Sequence, residues 1–180
     1  MGLPDQLTLA RVVAVPVVVC LYAWNFDQHA YWATALFVVA MATDWFDGRI
    51  ARSRGRTSPL GSLLDPMADK VLVLSMLVML VGAGVAPAWM VAAIVARELL
   101  VSGLRLAALE RGVVLHARDL GKLKTWSQAI AAALGGFAAA GAWEDRVGWW
   151  ALLVAVVLTW VSGLDYARVA PSVLRRRALA

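Results

Sequence analysis

Six predominantly apolar runs follow one another along the chain, at 7–24, 30–46, 60–81, 87–109, 125–142 and 147–166. About 20 mostly apolar residues in helical form cross a bilayer, and in lipid a helix is one of the few structures that satisfies its own backbone. The pattern predicts an all-α integral membrane bundle of six transmembrane helices. Several connections are only a few residues long, so neighbouring helices should run antiparallel. Leu3-Pro4-Asp5 reads as a helix start, giving a short amphipathic N-terminal segment ahead of the first span, with Arg11 a turn or two inside the boundary. Ser58-Pro59 reads as the N-cap and first residue of the third span, and Ala86-Pro87 opens the fourth in the same manner.

Polar residues that interrupt this pattern carry the chemistry. The stretch from Asp44 to Asp69 holds Asp44, Asp47, Asp65 and Asp69, with small residues at Gly48, Ala51 and Gly61 and a cation at Arg52. Helical spacing puts Asp44, Asp47, Gly48 and Ala51 on one face, and Gly61, Asp65 and Asp69 on one face of the next helix. Carboxylates at membrane depth are costly and mark functional sites. If the two helices pack, the carboxylates converge on one hole that Arg52 alone cannot neutralise. One or two hard cations with all-oxygen ligation, Mg2+ or Mn2+, are the natural filler. Pro66 removes a backbone bond to Ser62; it either kinks the helix or turns Asp69 toward a substrate.

Composition and charge sharpen the picture. Of 180 residues 62% are hydrophobic and 16% charged, against an apolar share of roughly 45 to 50% in soluble domains. Residues 1–180 are therefore expected to form a single membrane-embedded domain. Connections near 25–29, 82–86 and 143–146 hold only Asp27, Glu144, Asp145 and Arg146 as charged residues. The alternate connections hold Arg49, Arg52, Arg54 and Arg56, then Arg111, Arg118, Lys122 and Lys124, and the tail holds Arg168 and Arg175 to Arg177. By the positive-inside rule both termini are cytoplasmic and the aspartates face the cytosol. This distribution follows membrane side and forms no continuous nucleic-acid patch. The first run lacks the basic flank and cleavage site of a signal peptide and is expected to remain. Cys20 sits alone in an apolar run, so no disulfide framework exists.

Small residues in the fifth run, Gly135, Gly136 and Gly141, point to close helix packing. Trp24, Trp89, Trp143, Trp149 and Trp150 near span ends read as interfacial anchors. A second charge group comprises Arg97 and Glu98, which either neutralise each other or pair with neighbouring helices, and Arg105, Lys122 and Lys124. The latter three, with Arg11 and Arg118, could line a cationic pocket for a phosphate-bearing acceptor, or serve only headgroup contact and topology.

Read in full, the acidic stretch is D-x-x-D-G-x-x-A-R, eight residues, then G-x-x-x-D-x-x-x-D. This resembles the signature of the CDP-alcohol phosphotransferases, membrane enzymes of phospholipid synthesis, and every fixed position is matched. The resemblance is strongest to the branch using glycerol 3-phosphate. It runs from LPDQLTLARV through DWFDGRIAR, LLDPMADK and ARELLVSGLR to GKLKT, about the first two thirds of the chain; the last third matches only in being apolar. Relatives often carry asparagine near Leu3-Pro4, where this chain has Gly2 and Asp5, so no nucleotide contact is assigned there.

The resemblance implies transfer of a phosphatidyl group from CDP-diacylglycerol to sn-glycerol 3-phosphate, releasing CMP, in a homodimer of the multi-pass cytoplasmic membrane. It implies two metal ions held by Asp44, Asp47 and Asp65 with Asp69 at the edge of the second, Asp69 as general base, and Gly48, Ala51, Arg52, Ser58 and Gly61 receiving the CDP group. Ser58 could equally be only the N-cap. The same chemistry with inositol phosphate, serine or another alcohol is a near alternative. An intramembrane prenyltransferase would lack the G-x-x-A-R frame, and a small cation transporter should show paired broken helices or an inverted repeat; neither pattern is apparent.

Overall fold

The computed structural model describes the backbone of residues 3–24, 26–54, 59–110 and 119–175, and side chains within 10–43, 67–110, 121 and 123–164, Asn25 excepted. Six helices and, among the described residues, no strand make up the chain: α1 (Leu3–Ala23), α2 (His29–Arg54), α3 (Pro59–Gly82), α4 (Ala88–Glu110), α5 (Asp119–Ala139) and α6 (Asp145–Arg175). Each overlaps one of the six apolar runs. The expected separate N-terminal segment is not a distinct element, because α1 runs unbroken from Leu3. α3 likewise continues through Pro66.

Three short turns, 24–28, 83–87 and 140–144, join α1 to α2, α3 to α4 and α5 to α6. Two of them are built alike. Gly84 and Gly141 adopt φ of 76° and 77°. Val85 and Ala142 donate back to the carbonyls of Leu80 and Phe137, at 3.1 and 3.0 Å, while the glycines donate to Val81 and Ala138. These are Schellman caps, which favour glycine because a side chain is strained at that φ. Gly141 thus ends a helix, with open space around it, and does not serve the close packing expected of it.

Gly135 and Gly136 do serve packing. A Cβ on Gly135 would fall 2.7 Å from Leu80 Cδ1, and one on Gly136 would overlap Thr34 and Met76. Bare glycine surface therefore lets α5 approach α2 and α3 closely. α5 and α6 pack most extensively, α1 lies against both α2 and α3, and α4 lies against α6 and α3. The shared apolar core contains Val18, Phe37, Leu72, Met76, Leu77, Leu80, Met90 and Ile94, all nearly inaccessible.

The outward surface is apolar as well. Val12, Val17, Val39, Val78, Leu99, Leu106, Ile130, Val154 and Val157 are exposed along the helices, the opposite of a soluble bundle's polar exterior. Among the described residues Asp145–Leu164 is a helix long and apolar enough to cross a membrane, and Ala10–Ala23 and His29–Thr43 are shorter apolar segments. Cys20 is exposed on α1. Of the tryptophans expected to anchor at the interface, Trp24, Trp89, Trp143 and Trp150 are exposed, whereas Trp149 is half-buried and packs against the core.

Candidate active site

Helix boundaries distribute the acidic motif over one helix pair. Asp44, Asp47, Gly48, Ala51 and Arg52 lie on the last turns of α2, and Gly61, Asp65 and Asp69 on the first turns of α3. The side chains of residues 44–66 lie outside the described residues, and so does the expected convergence of Asp44, Asp47 and Asp65. Ser58 and Arg118 also lie outside them, as does the side chain of Lys122 on α5. Among the described residues no group of three potential metal ligands occurs.

Asp69 is the described member of the motif. Its carboxylate is about one-quarter exposed and forms an ion pair with Arg11 of α1, whose side chain is buried. Arg11 therefore meets Asp69 across the α1–α3 contact.

The second charge group is deeper and larger than its spacing suggests. Glu98 on α4 is 3% exposed. Its Oε1 accepts from Lys124 Nζ, from Arg97 Nη1 at 3.1 Å and from Gln128 Nε2 at 3.4 Å. Lys70 Nζ lies 3.8 Å from Oε2 and donates to Ser102 Oγ at 2.8 Å. Arg97 Nη2 donates to Ser162 Oγ at 2.9 Å, and Gln128 Nε2 to Thr159 Oγ1 at 2.8 Å. Arg97 and Glu98 thus do both things considered for them, pairing with each other and with α5 and α6. Such satisfaction is obligatory, since a buried charge without partners is far more costly than one within a network.

Among the described residues the cations of this cluster outnumber its carboxylates. Glu98 faces Lys70, Arg97 and Lys124, and Arg105 on α4 is near enough for its charge to act on Lys70. Lys70 directly follows Asp69, so this cluster adjoins the acidic motif along α3. An ammonium has three donors, and Lys124 can engage Glu98 and still meet a second anion.

Lys70, Ser102, Gln128, Thr159, Ser162 and Gly163 were not singled out by sequence reasoning. Spacing offered a partial signal: Ser102 and Arg105 share a face with Glu98, and Gln128 lies one turn beyond Lys124. α6 offered little, because Thr159 and Ser162 look like ordinary small residues in an apolar run. A Cβ on Gly163 would fall 3.1 Å from Arg97 Nε, so this glycine makes room for the guanidinium.

Arginine and lysine gathered around a buried carboxylate, beside a helix pair bearing an aspartate motif, suit an enzyme handling phosphorylated substrates at a membrane. The model of the CDP-alcohol phosphatidyltransferase family matches residues 1–161, and the chain belongs to that family. Over 142 residues it is 42% identical to the CDP-diacylglycerol--glycerol-3-phosphate 3-phosphatidyltransferase of Bacillus subtilis (strain 168), covering 72% of this chain and 74% of that one. A probable phosphatidylglycerophosphate synthase of Mycobacterium tuberculosis (strain ATCC 25618 / H37Rv) is 39% identical over 171 residues, 92% of this chain and 79% of its own. The Rickettsia bellii (strain RML369-C) CDP-diacylglycerol--glycerol-3-phosphate 3-phosphatidyltransferase is 36% identical over 168 residues, 92% and 93% of the two chains. The family is membrane-associated and depends on divalent metal. The donor set fits that dependence, because carboxylates and no thiol or imidazole populate the motif.

Proposed function

We propose that this chain transfers the phosphatidyl group of CDP-diacylglycerol to sn-glycerol 3-phosphate, giving phosphatidylglycerophosphate and CMP. The observation that carries the reading is the full D-x-x-D-G-x-x-A-R and G-x-x-x-D-x-x-x-D frame on α2 and α3, in a family whose similar members bear that activity in their names. Asp44, Asp47, Asp65 and Asp69 hold two divalent ions, Mg2+ or Mn2+, which supply charge stabilisation for the diphosphate. Gly48, Ala51 and Gly61 admit the CDP group closely, Arg52 contacts its phosphates and Ser58 offers a hydroxyl.

The acceptor hydroxyl oxygen attacks the phosphorus bearing the diacylglycerol, the bond from that phosphorus to CMP breaks, and the proton passes to Asp69. The Arg11 ion pair holds the Asp69 carboxylate in place for this transfer. Phosphoryl-type transfer depends mainly on positioning and electrostatics, which suits a site made of carboxylates and cations. Arg105, Arg118, Lys122 and Lys124 receive the acceptor's phosphate, with Arg11 at the border between the two halves of the site. The cations gathered around Glu98 support this pocket.

The unit is a single domain of six spans in the cytoplasmic membrane, with both termini and the site facing the cytosol. It works as a homodimer, and its lipid substrate stays in the bilayer. The exposed apolar helix faces and the arginine-rich connections support this arrangement. An acceptor competition assay on purified protein tests the function. Glycerol 3-phosphate should drive CMP release while inositol phosphate and serine compete poorly; preference for either of those would overturn the acceptor assignment.

A further inference from the structure

Glu98 lies outside the aspartate motif, yet three donors converge on one of its oxygens. We propose that Glu98 is a positioning residue for the acceptor: its carboxylate fixes the Lys124 ammonium so that the phosphate of glycerol 3-phosphate meets donors already in place. The proposal rests on the acceptor pocket described above. Lys124, Arg97 and Gln128 all reach Oε1, whereas Oε2 makes no hydrogen bond and has only Lys70 at 3.8 Å. A carboxylate acting only as a counter-charge has no reason to gather its donors on one oxygen. One that sets a direction does, because the shared atom fixes α5's lysine relative to α4's arginine.

The arginine is held in turn from α6, where Gly163 leaves just enough room for its side chain. Glu98 therefore sits between a restrained guanidinium and an ammonium with donors to spare. Held this way, Lys124 loses little rotamer freedom when substrate arrives, which lowers the entropic cost of binding.

Positioning and charge balance predict opposite signs. Removing a negative charge beside an anion site would strengthen attraction for phosphate and lower the KM for glycerol 3-phosphate. Removing a positioning contact would raise it. Initial rates of CMP release from purified protein in CDP-diacylglycerol mixed micelles separate the two. Glu98→Gln keeps shape but loses the charge-assisted bond, and should raise the KM for glycerol 3-phosphate about tenfold while kcat and the KM for CDP-diacylglycerol change less than about twofold. Glu98→Asp should recover part of the loss. An unchanged or lowered KM in Glu98→Gln overturns the proposal.

If that variant does not purify folded, Gly163→Ala tests the same geometry by crowding Arg97 without removing any charge. It should raise the KM for glycerol 3-phosphate a few-fold, and an unchanged value overturns the proposal. Lys124→Gln checks the underlying pocket. An unchanged KM there defeats the pocket itself, whereas a raised KM there with an unaltered Glu98→Gln defeats only the role of Glu98.

Discussion

The two halves of α5 solve opposite problems. Its first half carries Lys124 and Gln128 into a buried network of charges shared with α3, α4 and α6. Its second half carries Gly135 and Gly136 against Leu80, Thr34 and Met76, where van der Waals contact holds the helices. One half accepts the cost of buried charge, and the other removes every atom that would keep backbones apart. Close apolar packing falls in one half, and the substrate handling proposed above falls in the charged half.

The sharpest break of that comparison is Asp69→Asn. With the proposed general base gone, CMP release should fall at least about 100-fold while metal-dependent CDP-lipid binding survives, and the thermal unfolding midpoint should drop because the buried Arg11 loses this carboxylate. Lost binding at full turnover would remove Asp69 from catalysis. Chelation should act on the same half: EDTA abolishes CMP release and added Mg2+ or Mn2+ restores it, without change in helical content by circular dichroism. Persistent turnover in a metal-stripped sample would end the carboxylate-metal reading.

In the apolar half, Gly136→Ala should cost about 1–3 kcal/mol, because the new methyl overlaps Thr34 and Met76 and a packed core resists expansion. Thermal unfolding in detergent should show a lower midpoint, with kcat per folded molecule preserved; an altered KM would mean the halves are coupled. Thr159→Val removes the acceptor for Gln128 at the border of the network, and is expected to cost about 1 kcal/mol. The smallest effect belongs to Gly103→Ala on α4, where the added carbon meets open space. There it should gain about 0.5–1 kcal/mol from reduced backbone freedom in the unfolded chain.

The six helices were legible because apolar runs are written into the sequence. Their ends were less so: α2 continues to Arg54, α5 starts at Asp119, and α6 extends to Arg175. Backbone hydrogen bonding in a helix does not stop where hydrophobicity stops, so composition marks the span and misses the turns beyond it. Asp44 to Asp69 was legible as a motif because its spacing is local to two helices. The network around Glu98 was only half legible, since its partners come from four helices and their meeting is tertiary. Gly141 was misread as packing because composition cannot distinguish a glycine needed for its missing side chain from one needed for its φ of 77°.

The seat of Arg97 on α6 bears on where the protein can be cut. Ser162 and Gly163 follow immediately after residue 161, the last position of the family match. A chain truncated at that boundary would retain the aspartate motif yet lose the hydroxyl that accepts from the guanidinium and the backbone it rests on. A fragment that keeps the seat of this cation on α6 therefore extends at least as far as Gly163.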